Sequence, residues 1–394
     1  MIRLVAGLLL GAMLLVGATP VRAADPQQDT VDQQVQQEVQ RILGELDLQN
    51  LQTALDGLQN PPDDLRNADQ LVAQLAQGQF TYLGQTFLDY MLNSAKEPLT
   101  QAVALFAELL LLAAVSGVLA QMTRALTGGG AAKIASLLVY GVAAVLILRG
   151  LWQAVDGART SITTLLNVTQ AVFPVLTALL AASGGFASTA VLQPAFAVAA
   201  QTASWLVRDL LLPAALCGGV LSVAGSVTQK SLLKEFGSLL RSTGVWVAGA
   251  VMTVFVALTA IQGSAAVSYD GISFRTAKYA VDSMVPYVGG MFSDLADTLV
   301  GCSLLVRNAV GVAGLLALLA AVIPPVLSAL GIYLAYRLAG ALAASFDADG
   351  LCTVMGESGK VVMLLVVILL MTFVLMFLML TVTIGAGNSI LAMR

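Results

Sequence analysis

Apolar residues in this chain gather in runs of about 20 residues, and polar residues cluster between the runs. An α-helix of that length crosses roughly 30 Å of hydrocarbon at about 1.5 Å per residue. The runs predict membrane-spanning helices near residues 99–120, 134–152, 162–182, 187–207, 210–228, 244–262, 310–334 and 361–384. The pattern therefore predicts an all-α, polytopic helical membrane protein.

The number of spans depends mainly on the stretch from 187 to 228. Pro194, Arg208, Asp209 and Pro213 interrupt its apolar pattern, so it could instead form two tilted spans or a re-entrant pair. A split at the Pro324-Pro325 pair would also change the count. We therefore expect about seven to nine spans.

The first 98 residues differ in composition from the rest. Residues 1–23 carry Arg3, an apolar run and a Val21-Arg22-Ala23 ending, which predict a cleaved signal peptide, with an uncleaved anchor helix as the alternative. Residues 24–98 hold 12 acidic, 3 basic and 15 glutamine residues, with apolar positions at helical spacing. They predict an acidic extracytoplasmic helical segment, either a helical hairpin or a docking module for a partner.

Basic residues in the short loops predict the orientation of the chain, because such loops remain in the cytoplasm. Arg124 and Lys133 follow the first apolar run, and Lys230, Lys234 and Arg241 follow the fifth. We expect both clusters to be cytoplasmic and the acidic N-terminal segment to lie outside.

A polar segment over 263–310 separates the membrane-spanning helices of 99–262 from those of 311–394. Its central part is too polar for an ordinary span and too apolar for a loop. It predicts either a broken helix that lines a cavity in a channel or transporter core, or an amphipathic helix in the outer interface. The candidate residues are two pairs at helical spacing, Lys278 with Asp282 and Asp294 with Asp297, and the break formed by Pro286 and Gly289.

Two ionisable residues lie inside otherwise apolar runs, namely Glu108 and Arg149. An ionised group at the bilayer centre costs at least about 2.5 kcal/mol, so each should face protein or water. We therefore treat both as candidates for a polar path or an inter-helix pair. The alternative is that each side chain snorkels to a headgroup layer.

Composition excludes most catalytic chemistry. Of the residues, 58% are hydrophobic and only 11% are charged, and the chain has no histidine. The absence of histidine removes the commonest general base and every His-containing metal site. The cysteines Cys217, Cys302 and Cys352 lie in or beside apolar stretches without CxxC spacing, and we expect them to act as small buried hydrophobic residues.

The string from Gly356 to Lys360 is similar to the end of a nucleotide-binding P-loop. That motif needs glycine where Val354 stands and serine or threonine where Val361 stands, so nucleotide binding is excluded here. We find no dinucleotide fingerprint and no basic patch large enough for nucleic acid. The sequence therefore predicts a protein that is not an enzyme and that uses no cofactor or metal.

One block of the sequence resembles a known family. Residues 277–315, which run AKYAVDSMVPYVGGMFSDLADTLVGCSLLVRNAVGVAGL, strongly resemble the matching region of the stage III sporulation protein AE family of endospore-forming bacteria. The likeness extends to the overall plan, from the signal peptide to the last apolar run at 361–385. Arg307, where many members are expected to have lysine, keeps the charge. With its neighbour Asn308 it completes the set of candidate pore or packing residues.

The resemblance implies a component of the channel complex between mother cell and forespore, in the outer forespore membrane, that is required for late forespore gene expression after engulfment. The implied partners are the other stage III A membrane proteins, their cytoplasmic secretion-type ATPase and, across the intermembrane space, stage II sporulation protein Q. A homo-oligomer remains open. Two other hypotheses stand beside this one: a secondary transporter of a small solute, which inverted repeats would support, and a membrane anchor for the N-terminal segment.

Overall fold

The computed structural model describes residues 39–42, 44, 48–58, 61, 66–78, 80–125, 130–228, 231–284, 289–346 and 348–392. Almost all of these residues are in α-helices, as the apolar runs predict. The helices are α1 (Gln49–Asp56), α2 (Ala68–Ala76), α3 (Phe80–Ala125), α4 (Gly130–Ala182), α5 (Phe186–Trp205), α6 (Leu212–Val227), α7 (Ser231–Met284), α8 (Gly289–Ser345) and α9 (Asp349–Ala392), with a π-helical turn at Leu206–Leu211 between α5 and α6.

Six helical segments in the described part of the chain are long and apolar enough to cross a membrane. They are Asp89–Leu119, Leu138–Ala182, Phe186–Ser226, Ser231–Ile261, Val300–Ser345 and Gly350–Ala386. The sequence predicts seven to nine spans, and six segments of the described residues meet this criterion of length and composition. The difference arises from two pairs of predicted spans, each of which occupies a single continuous helical segment.

The first such pair, 134–152 and 162–182, lies entirely on α4. The polar residues between them remain helical, and hydroxyl groups in and beside this stretch bond to carbonyls of the same helix. Ser161 donates to the carbonyl of Gly157 at 2.7 Å, and Thr163 donates to the carbonyl of Arg159 at 2.9 Å. A dip in hydropathy thus marks a polar stretch of one helix of 53 residues rather than a turn.

The second pair, 187–207 and 210–228, is joined through the π-helical turn that contains Arg208 and Asp209. Pro213 follows this turn at the start of α6. A proline has no N–H to donate to the carbonyl four residues back, and its ring clashes with that carbonyl. The wider π turn before Pro213 accommodates this defect without ending the helix.

The bundle has inner and outer helices. We compare the share of buried residues in the most apolar part of each candidate span. This share is 67% on each of α4, α8 and α9, but only 28% on α3 and 22% on α7. The α5–α6 segment is intermediate, at 44%. The helix α8 packs on α9, α3 and α4, and α9 packs on α4, α6 and α7. The core is therefore built from α4, α8 and α9.

The N-terminal helices pack on this core through their apolar faces. Leu51 and Leu55 of α1 and Leu71 and Val72 of α2 are fully buried, with α1 against α4 and α2 against α8. Gln52 links the two helices, since its side chain donates to the carbonyl of Arg66 at 2.6 Å and accepts from the backbone N–H of Ala68 at 2.9 Å. The apolar faces of α1 and α2 are thus covered within the chain itself.

Three pairs of helix ends lie at one end of the bundle, which we call the basic end. They are the end of α3 with the start of α4, the end of α6 with the start of α7, and the end of α8 with the start of α9. A Cβ atom on Gly117 of α3 would lie 2.6 Å from the carbonyl oxygen of Phe346, and one on Gly350 of α9 would lie 2.6 Å from the hydroxyl of Tyr140 on α4. Arg124, Lys133, Lys234 and Arg241, members of the two basic clusters predicted from the loops, belong to these helix ends, and Lys230 lies outside the described residues. The helix α3 begins at Phe80, so the acidic segment leads directly into the first membrane helix at the opposite end.

Candidate functional site: a polar groove within the membrane region

A groove between α3, α4 and α8 brings together polar side chains from three helices. It encloses about 420 Å³. Its polar lining is Gln101 and Glu108 of α3, Arg149 and Gln153 of α4, and Ser328 of α8. Pro98, Ala104, Leu105, Gly150 and Ile332 complete the lining. Polar groups from three separate helices therefore share one cavity within otherwise apolar segments.

Glu108 and Arg149, both predicted as candidates from the sequence, line this groove together. They are 41 positions apart in the chain. Both side chains are exposed on the surface of the bundle. Within the described residues, neither has a hydrogen bond or a salt bridge, so the carboxylate and the guanidinium are not paired with each other. Two opposite charges thus stand available on one face of the bundle.

The floor of the groove is formed by a close contact between α4 and α8. Tyr336 is fully buried and donates its hydroxyl to the carbonyl of Ile147 at 2.7 Å. That hydroxyl occupies the space that a Cβ atom on Gly150 would need. A glycine at position 150 therefore permits the tyrosine to seal the groove from the interior of the bundle.

A second contact closes the groove on the side of α3. Gln153 donates to the side-chain oxygen of Gln101 at 2.7 Å, which joins α4 to α3. Gln101 in turn donates to Glu97 at 3.3 Å. These amide groups are already bonded within the chain, which leaves Glu108 and Arg149 as the groove's charged groups available to another molecule.

Arg307, singled out from the resemblance, lies in a different environment on α8. It is fully buried, and its Nη2 donates to the carbonyl oxygen of Ile384 on α9. The Nε and Nη1 atoms, and Oδ1 of Asn308, are buried without hydrogen-bond partners among the described residues. Gly311, one turn further along, allows Ile384 to approach α8 closely, since a Cβ there would lie 2.5 Å from its Cδ1.

The remaining candidate residues belong to the polar segment. The side chains of Lys278, Asp282, Asp294 and Asp297 and the burial of Gly289 lie outside the described part of the structure, as does residue Pro286 as a whole. The described helices end and begin on either side of that proline, with α7 ending at Met284 and α8 beginning at Gly289. A pore or packing role for these residues stays a prediction.

Sequence reasoning missed one charged cluster at the basic end. Glu357 of α9 accepts from Nη1 of Arg241 on α7 at 2.8 Å and also from Nζ of Lys360. The spacing of Glu357 and Lys360 on one helix was a signal for the second contact. The first joins residues 116 positions apart, and no local pattern marks it.

Comparisons with known proteins agree with the plan of the chain. The family model of Stage III sporulation protein AE matches residues 66–387, which include α2 to α8 and nearly all of α9. Stage III sporulation protein AE of Bacillus subtilis (strain 168) is 30% identical over 290 residues, covering 74% of this chain and 73% of that protein. No solved structure shows a significant match to this chain. The chain therefore belongs to the Stage III sporulation protein AE family.

Proposed function

We propose that this protein is a non-enzymatic membrane component of the channel or secretion-like complex that joins the mother cell to the forespore. It is a multi-pass membrane protein of a sporulation stage III family. The observation that carries the proposal is the extent of the family match, because residues 66–387 include all six candidate spans. The whole membrane body, rather than one module, is thus what this chain shares with the family.

The orientation that we propose has the basic end in the cytoplasm of the mother cell. The basic residues near the α3–α4 and α6–α7 turns occur at the same end of the bundle, which agrees with the preference of such loops for the cytoplasm. The acidic helices α1 and α2 and the C-terminal end of α9 then face the intermembrane space. Cleavage of a signal peptide over residues 1–23 is part of the same proposal.

The polar groove is the site at which we propose that another membrane subunit binds. Its carboxylate and guanidinium are exposed and unpaired among the described residues, and such groups within a membrane face protein or water because lipid cannot solvate them. A helix that offers hydrogen-bonding or charged groups at the same depth would satisfy both. The other stage III A membrane proteins are the proposed partners, with their ATPase at the basic end and stage II sporulation protein Q across the intermembrane space.

The first experiment is a deletion of the gene in the source bacterium, with a reporter for late forespore gene expression and microscopy of engulfment. We expect engulfment to finish while the reporter stays off and the spore yield falls. Re-expression of the wild-type chain at another locus should restore both measurements. This rescue separates loss of the protein from effects on neighbouring genes.

Normal sporulation in the deletion strain would overturn the proposed function. The leading hypothesis would then be a secondary transporter of a small solute, since the groove also fits a small polar molecule by size. Solute uptake into vesicles that contain the purified chain would then be the next measurement.

A further inference from the structure

A second cavity lies at the basic end, between α7, α8 and α9, and is separate from the polar groove. It encloses about 560 Å³. Its polar lining consists of Ser238, Arg241 and Ser242 of α7, Tyr333 of α8 and Lys360 of α9. Hydroxyl groups and two cations thus converge on one opening at the surface of the bundle.

The charge of this cavity is positive. Glu357 accepts hydrogen bonds from both Arg241 and Lys360, so one carboxylate balances only one of the two cations. The side chains of Arg241 and Glu357 are 17% and 24% exposed, whereas that of Lys360 is 54% exposed. Arg241, bonded to Glu357, therefore lies in the inner part of the lining, and the ammonium group of Lys360 lies at the opening. The two cations and the single carboxylate leave a net positive charge there.

The sequence pattern predicts that this cavity lies near the level where the headgroup layer of a bilayer meets its hydrocarbon. The predicted apolar runs begin at residues 244 and 361, directly after Arg241 and Lys360. Trp246, which also lines the cavity, is 79% exposed, and tryptophan is enriched at this depth of membrane proteins. The rest of the lining is apolar, including Val245 and Val367. A polar opening thus continues into an apolar wall along the bundle.

We propose that this cavity binds an anionic phospholipid, with the phosphate between Lys360, Arg241 and the two serine hydroxyls and the acyl chains along the apolar wall. Basic pockets between membrane helices on the cytoplasmic side bind phosphate-bearing headgroups. The charge, the depth and the change from polar to apolar lining all match this class of ligand. The inference relies on the proposed cytoplasmic position of the basic end, and it is independent of the sporulation role.

The test uses the full-length chain purified in a neutral detergent, with its melting temperature followed during titration. The probes are phosphatidylglycerol, phosphatidylcholine and inorganic phosphate. We expect phosphatidylglycerol alone to raise the melting temperature in a saturable way, because binding requires both the charge and the acyl chains. Equal stabilisation by phosphatidylcholine would overturn the proposal, and so would equal stabilisation by inorganic phosphate.

Charge variants at the cavity sharpen the test. Lys360→Gln should weaken the affinity for phosphatidylglycerol roughly tenfold, the effect of losing one direct hydrogen bond to a charged group. Glu357→Gln should strengthen it, because both cations are then released toward the lipid. These changes are opposite in direction, so a general folding defect cannot produce both. If the Glu357 variant does not fold, the comparison of Lys360→Gln with a control variant still shows whether the lipid binds at this cavity.

Arg337→Gln is the matched control. Arg337 is an exposed basic residue of α8 near the same end of the bundle, and it does not line the cavity. We expect this variant to bind phosphatidylglycerol with the wild-type affinity. An equal loss of affinity in Arg337→Gln and Lys360→Gln would mean that lipid binding depends on the overall positive charge of this end and not on the cavity. The proposed site would then be wrong.

Discussion

Three charged residues of the membrane region occupy two different environments. Arg307 is fully buried between α8 and α9, where it bonds to the backbone of Ile384. Glu108 and Arg149 lie exposed on the polar groove without partners among the described residues. From the sequence alone these residues look alike, since each is an ionisable group in an apolar helix. The difference shows that the guanidinium of Arg307 contributes to contacts inside the bundle. The charged groups of Glu108 and Arg149 lie on the surface, where another molecule can contact them.

The largest effect on stability should come from truncation of Arg307. Arg307→Ala removes the bond to Ile384 and leaves a cavity between α8 and α9, and we expect a loss of about 2–5 kcal/mol. The melting temperature of the purified chain measures this. Arg307→Met is the control, because an apolar side chain of similar volume can replace a buried charge at no net cost. A melting temperature unchanged in Arg307→Ala would show that Arg307 is not part of the packed fold.

The next largest effect concerns Gly150, at the boundary between the groove and the core. Gly150→Ala forces the hydroxyl of Tyr336 to move, and overpacking of this kind costs about 1–3 kcal/mol. Gly141→Ala is the matched control on the same helix, because a Cβ there meets no atom within 4 Å. We expect the control to keep the wild-type melting temperature or exceed it. Equal destabilisation by both variants would contradict the close contact at the floor of the groove.

A smaller effect should follow from loss of the bond between Gln153 and Gln101. Gln153→Leu removes this contact between α3 and α4, and interhelical hydrogen bonds in membranes contribute about 0.6 kcal/mol on average. A double-mutant cycle with Gln101→Leu isolates the pair. A coupling energy of zero would mean that the two amides do not hold the outer helix α3 to the core.

The smallest effect on stability, and a large one on function, should come from the exposed pair. Glu108→Gln and Arg149→Gln should change stability by no more than about 0.5 kcal/mol, because neither residue has a partner among the described residues. Spore yield and co-purification of other membrane subunits should both fall. Asp156→Asn, an exposed acidic change on α4 outside the groove, is the control. Wild-type spore yield in both groove variants would contradict the proposal that another membrane subunit binds at the groove.

Much of the fold could be predicted from local pattern. The apolar runs identify the helices because a membrane helix must satisfy its own backbone and present apolar side chains to lipid. The count of spans was less predictable, since a polar stretch remains helical within α4, with the hydroxyls of Ser161 and Thr163 bonded to carbonyls of the same helix. Hydropathy cannot distinguish such a stretch from a turn.

The sequence could identify the charged residues of the candidate site, but it could not predict that they lie together in one groove. Glu108 and Arg149 stand out singly by the cost of burying charge, yet their meeting in one groove depends on how α3 and α4 pack on α8. The contact between Arg241 and Glu357 likewise depends on packing, because it joins α7 to α9. Tertiary packing of distant segments decides these contacts, and no periodicity along a single helix contains that information.

The length of α4 has a mechanical consequence. From Gly130 at the basic end to Pro174, the helix runs without a proline for 44 residue steps, or roughly 65 Å. A stiff rod of this length acts as a lever, and a tilt of about 5° at one end moves the other by roughly 6 Å. Because α1 packs on α4, a small tilt imposed at the basic end would displace both helices together without any helix having to unfold.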